Sequence, residues 1–113
     1  MWYEFDQNNS GGWFHINDEK GIGPKVWIEA DNANEANEKA QEIGIYFNGV
    51  DKGRDCDCCG DRWDATDKDW GFEKPKFYSR YTFHWHDTVY LHNKNGTITR
   101  LKEGDDEGLF ANK

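Results

Sequence analysis

The chain reads as one α+β domain: an antiparallel sheet of about five or six strands, one main helix over about residues 32–44 packed on it, and a long Cys/Asp-rich loop. Three observations predict this. Short stretches in which large and polar residues alternate recur between Gly, Asn and Pro, as strands do. One segment alone carries a helical period. Residues 51–71 hold seven Asp and all three Cys with little periodicity of either kind. A length of 113 residues suits a single domain. It is placed over 1–102, with 103–113 as an acidic tail expected to be solvated and mobile.

Trp2-Tyr3-Glu4-Phe5-Asp6 and Trp13-Phe14-His15-Ile16-Asn17 both alternate, and Gln7 to Gly12 between them is rich in turn formers. Together they predict a β-hairpin. Val26-Trp27-Ile28-Glu29-Ala30 follows Gly21-Ile22-Gly23-Pro24 as a strand of β-branched and aromatic residues. Asp31 is the expected helix N-cap. Ala33, Ala36, Ala40 and Ile43 then form one narrow stripe that ends at Gly44, small enough for the helix to lie close against a sheet. Ile45-Tyr46-Phe47 reads as a short strand turned by Asn48-Gly49. Phe77 to Phe83 alternates loosely. Residues 88–92 and 97–101 flank Asn95-Gly96, a strong signal for a second hairpin.

The core has an unusual composition, because Phe, Trp and Tyr number 18 and Val, Ile and Leu only 12. Each aromatic side chain buries about 150–250 Å², so a few can hold a small domain together. No run of apolar residues is long enough to cross a membrane, and the N-terminus does not read as a signal peptide. These features predict a cytosolic product, in which an odd number of cysteines argues against disulfides.

The net charge is −8. Its distribution is uneven: residues 1–50 carry 9 acids against 3 bases, whereas residues 74–100 carry Lys74, Lys76, Arg80, Lys94 and Arg100 against Asp87 alone. The overall acidity argues against non-specific nucleic-acid binding. A local basic segment can still receive an anionic small molecule.

The three cysteines fall in Asp55-Cys56-Asp57-Cys58-Cys59-Gly60-Asp61-Arg62-Trp63. Cys56, Cys58 and Cys59 could supply thiolates to zinc, with His84 or His86 as a fourth ligand, since their spacing puts both rings on one face of a strand. A second paired-cysteine knuckle is absent. The competing reading buries Cys58 or Cys59 as a small apolar residue among Asp and Gly turns. Zinc is the one cofactor the sequence admits, and no other is expected. Asp55, Asp57 and Gly60 mimic part of a calcium loop, but Cys59 and Thr66 occupy positions that need oxygen ligands and a glutamate.

Catalysis finds little support. The two serines, Ser10 and Ser79, lack a nucleophile-elbow setting. A Cys58 or Cys59 pairing with His15, His84 or His86 is the only nucleophile–base arrangement on offer. Asp61 and Arg62 read as a loop-bracing ion pair. An enzyme is therefore not expected.

Residues 74–86 interleave Lys74, Lys76 and Arg80 with Tyr78, Tyr81 and Trp85. Bases stack on aromatic faces for about 1–3 kcal/mol each, and cations take phosphates, so this segment could hold a nucleotide-like ligand. An ordinary amphipathic strand would show the same alternation. No phosphate-cradling glycine loop accompanies it.

Gln7 to Gly12, the stretches Ile28 to Asp31, Glu35 to Asn37 and Gly44 to Phe47, and above all Cys56-Asp57-Cys58-Cys59-Gly60-Asp61-Arg62-Trp63 resemble a family of small uncharacterised bacteriophage proteins. The resemblance covers about the first 65 residues. It implies a phage origin and expression in the host bacterial cytoplasm, and it brings no site residues.

On that footing the expected function is binding rather than catalysis. One reading is counter-defence by sequestering a nucleotide-derived signalling molecule, as a monomer or a homo-oligomer, through Arg54, Arg62, Trp63, Lys74, Lys76, Tyr78, Arg80, Tyr81 and Trp85. The alternative is an acidic inhibitor whose Glu29–Glu42 surface and tail occupy a basic surface of a host defence protein. A zinc-binding protein is a third, more distant reading.

Overall fold

The computed structural model describes residues 1–8, 15–55, 57–75 and 88–102. Among them, five strands form one sheet: β1 (Trp2–Asp6), β2 (Lys25–Glu29), β3 (Gly71–Phe72), β4 (Thr88–His92) and β5 (Ile98–Lys102). Their spatial order is β3-β1-β2-β4-β5. A single α-helix, α1 (Ala33–Ile43), packs on the sheet, and a 3-10 turn covers Lys68–Trp70. The α+β class holds.

The sheet is mixed rather than purely antiparallel. β2 pairs with β4 in parallel, from Lys25↔Val89 to Ile28↔His92, while the other three ladders are antiparallel. The connection from β2 to β4 contains α1 and the Asp-rich segment, and so long a crossover is what parallel neighbours need.

The first hairpin is also corrected. β1 pairs along its whole length with β2, and His15 to Asn17 add no strand beside it. β3 takes the other edge of β1 at Trp2 and Tyr3. His15 to Asn17 is not a strand, though Asn17 makes an isolated bridge to Ile22. Trp13, Phe14, the turn residues from Asn9, the alternating run Phe77–Phe83 and the tail 103–113 lie outside the described residues.

The helix forms where the Ala stripe predicted, with its cap one residue later. Asn32 is the N-cap, its side chain accepting from the Glu35 N–H at 2.9 Å, while Glu35 reaches back to the Asp31 N–H at 3.1 Å. Asp31 lies one residue before the cap, and its carboxylate pairs with Lys94. At the other end Gly44 adopts φ 112°, and Ile45 N–H closes on the Ala40 carbonyl at 3.0 Å. Only glycine enters that left-handed turn without strain. Ile45-Tyr46-Phe47 is not a strand. It descends from the helix into the core, with Ile45 and Tyr46 buried and Phe47 stacked on Phe5 at 6.1 Å.

Alternation along β1 and β2 divides the core between the two faces of the sheet. Tyr3, Phe5, Val26 and Ile28 meet Ala33, Ala36 and Ala40 of α1, together with Ile45, Tyr46 and Trp63. Trp27, Val89, Leu91 and Leu101 occupy the other face with Trp2 and Phe72, the Trp27 and Phe72 rings meeting edge-on at 5.8 Å. The second hairpin stands as read: Asn93 N–H donates to the Thr97 carbonyl, and Gly96 supplies φ 93°.

Candidate functional site

The segment Asp55–Trp63 has no regular structure, and side chains from elsewhere hold it in shape. Asp55, whose side chain is fully buried, accepts from the Tyr46 hydroxyl at 2.7 Å and from the Arg62 N–H at 2.8 Å. The Arg62 guanidinium lies 3.7 Å from the same carboxylate through Nε. Its Nη1 donates to Gln7 Oε1 at 2.9 Å. That oxygen also accepts from the His15 N–H at 2.6 Å, and the Gln7 amide nitrogen donates to the His15 and Gly23 carbonyls, each at 3.0 Å.

Asn8 completes the clamp. Its backbone N–H donates to the Arg62 carbonyl, and its side-chain amide donates to the Cys59 and Asp61 carbonyls at 2.7 and 3.2 Å. Asp61 accepts from the Val50 N–H at 2.9 Å. The carboxylate facing the Arg62 guanidinium is thus Asp55, seven residues back, and not the adjacent Asp61 expected from sequence. A methyl group on Gly49 would come within 1.8 Å of Asp55 Oδ2, so glycine is required there for close approach.

This network is buried and charged, and it fixes the loop through the Asp55, Gln7 and Asn8 hydrogen bonds, while Arg62 Nε meets Asp55 only as an ion pair. Burial comes first, and the hydrogen bond to Asp55 second, in raising the Tyr46 phenol above its ordinary value, which keeps it a donor. Arg54 lies over the Tyr46 ring with its guanidinium carbon 3.6 Å from the centroid.

A cleft of about 580 Å³ opens beside the network. Ile22 and Ile43 form apolar walls, Trp63 closes the floor, and His15, Asn17 and Lys20 bring polar groups to the opening. Burial, reinforced by the Arg62 charge, lowers the His15 pKa below its ordinary value, so the imidazole is held neutral. The arrangement offers a neutral hydrogen-bonding ring, an ammonium and an amide around an apolar hollow.

The residues expected from sequence are dispersed. Arg62 and Trp63 are 3% and 1% exposed and serve first as an internal strut and a core residue, with Trp63 alone reaching the cleft. Arg54 is exposed on Tyr46, and Lys74 is exposed near the end of a described segment. Lys76, Tyr78, Arg80, Tyr81 and Trp85 lie outside the described residues, as do Cys56, His84 and His86. Cys58 and Cys59 are exposed and unbridged, with sulfurs 3.6 Å apart. Among the described residues no three His, Cys, Asp or Glu side chains are grouped to hold a metal ion. On the acidic helix side, Glu35 pairs with Lys39 at 3.5 Å, Asp31 pairs with Lys94, and Glu29 accepts from the Lys94 N–H.

Gln7, Asn8, Tyr46 and Lys20 were not singled out by sequence reasoning. Gln7 and Asn8 carry the amide groups that bridge distant backbones, but in a row of turn formers they read only as loop.

No curated protein and no solved structure matches the chain. A family model described as a domain of unknown function, DUF7296, matches residues 1–111, and the chain belongs to that family.

Proposed function

We propose that the protein acts by binding rather than catalysis and receives a small nucleotide-like molecule in the cleft between His15, Ile43 and Trp63. The carrying observation is the cleft itself. Its volume of about 580 Å³ falls within the roughly 300–1,000 Å³ of small-molecule sites. Apolar walls with a few convergent polar groups are the usual composition of such sites. Ile22 and Ile43 offer contact to a planar ring, the neutral imidazole of His15 can hydrogen-bond a base edge, and Lys20 can take a phosphate as a point charge. Among the described residues the lining includes no thiol or carboxylate to act as nucleophile beside the imidazole, which favours retention over turnover. For a protein of phage type, holding a nucleotide-derived signal in this way would constitute counter-defence.

Thermal unfolding in the presence of mono-, di- and cyclic nucleotides tests this. A ligand at a hundred times its Kd adds about 2.7 kcal/mol to stability, a shift easily seen in a small domain. The expected result is a rise in Tm with at least one nucleotide, reduced in Lys20→Ala and in His15→Ala. The absence of a rise with any of them overturns the reading.

A further inference from the structure

Among the described residues, the outer edge of β1 is covered at both ends and open between them. Met1 and Ala30 exchange both of their backbone hydrogen bonds, at 3.1 and 2.9 Å, which sets the parity of the β1–β2 ladder. Backbone groups of odd-numbered β1 residues face β2, and those of even-numbered residues face away. The Gln7 N–H keeps this parity by donating to the Pro24 carbonyl. On the far side, β3 pairs only with Trp2 and Tyr3, and the Asn8 N–H is taken by Arg62. The Tyr3↔Gly71 pair is a non-hydrogen-bonded one by this parity, so the Glu4 N–H turns to the Trp70 carbonyl at the end of β3. Beyond that clasp the Glu4 carbonyl and both backbone groups of Asp6 point into a groove, and no strand pairs with them among the described residues.

The opposite wall is held away from β1. Asn37 of α1 donates to the Thr66 carbonyl at 3.1 Å and accepts from the Thr66 N–H at 2.9 Å, so Thr66 is committed to the helix and cannot close the gap. The space left is about 490 Å³. At its margin Trp70 is 65% exposed, an unusual state for so large an apolar ring. Glu4, Asp6, Asp64 and Asp67 border the groove. Lys25 approaches Glu4 and Asp6 at 2.8 and 3.4 Å from the β2 side. Burial opposes its charge, but these two carboxylates outweigh burial and raise its pKa. One ammonium against four carboxylates leaves the groove negative.

We propose that this gap is a docking site for a short, extended segment of a partner protein that carries arginine or lysine. An unpaired strand edge offers a ready template for main-chain hydrogen bonds. The exposed indole face attracts a guanidinium, and the carboxylates fix the sign of the partner. A second copy of this chain, itself at −8, would bring like charge to the groove. The edge from Tyr3 to Asn8 spans about 17 Å at roughly 3.4 Å per residue, room for three or four residues before the incoming chain must turn away.

The test is amide NMR and hydrogen exchange on the whole protein with a blocked Arg-Val-Arg peptide as probe, beside its backbone N-methylated form and Glu-Val-Glu. The expected result is saturable protection of the Asp6 amide by Arg-Val-Arg, at least tenfold weaker binding of the N-methylated and acidic peptides, and a similar loss in Trp70→Ala and Asp6→Lys. Both substitutions fall on exposed side chains, and unchanged spectra elsewhere certify the fold. Three results would each overturn the proposal: no binding of Arg-Val-Arg, equal binding of the N-methylated peptide, or protection of the Asp6 amide by self-association without peptide.

Discussion

Helix α1 and the Asp55–Trp63 loop cover the same face of the sheet, yet they are held there by opposite means. The helix is held mainly by an apolar stripe, with Ala36 and Ala40 fully buried and one rim hydrogen bond from the Lys39 ammonium to the Glu29 carbonyl of β2 at 3.2 Å. The loop is held by a buried cation and its carboxylate, in turn secured by Gln7, Asn8 and Tyr46. A helix satisfies its own backbone, so the centre of its contact can be apolar. An irregular loop has no such ladder, and its backbone must find side-chain partners or water. The price of that solution is sensitivity to losing any one partner.

The sharpest way to break the contrast is Arg62→Ala. Removing one member of a buried pair leaves Asp55 charged and uncompensated, so a loss of about 3–5 kcal/mol is expected in the urea unfolding midpoint. Arg62→Met combined with Asp55→Asn should recover part of it, because no buried charge is then stranded. If the double variant is no better than Arg62→Met alone, the loop is not held electrostatically.

On the helix side the matching variant is Ala36→Leu. Ala36 is 0% exposed against β2, and overfilling such a site costs about 1–3 kcal/mol. Here the loss should be independent of salt and pH. A gain in stability would show that the Ala stripe leaves space unfilled.

The smallest effect is in pH. Burial, with Arg62 for His15 and Arg100 for His92, lowers both imidazoles below their ordinary value of 6.5. A group with a depressed folded pKa gives stability that is complete above its unfolded value and lost as pH falls through its folded one. Unfolding midpoints should therefore decline from pH 7.5 towards 5, and the decline should be shallower in His15→Gln. An identical slope in that variant would remove His15 from the account.

What could be read from the sequence follows the same division. The Ala spacing, the Asn and Asp before it and Gly44 after it make α1 legible, and Asn95-Gly96 makes the β4–β5 turn legible, because each signal is local. The sheet order was not, since nothing near Lys25 announces Val89 as its neighbour. Gln7 meets Arg62 across 55 residues, so a side chain that looks like turn material serves as a strut. The cleft draws His15, Ile43 and Trp63 from three separated stretches, and none carries a motif. Arg62 and Trp63 were expected to meet a ligand, and their burial gives them interior tasks before any outward one.

The parallel ladder has a consequence for how the chain folds. Lys25 and Val89 are 64 positions apart, whereas α1 and the β4–β5 hairpin close over short distances. Loop closure must be met before the long-range contacts reward it. The helix and hairpin can therefore flicker into existence on their own, while docking of β4 beside β2 sets the pace. Refolding followed by stopped flow should be slower than in a helical domain of equal size, and the slow step is the moment at which the two halves of the sheet become one.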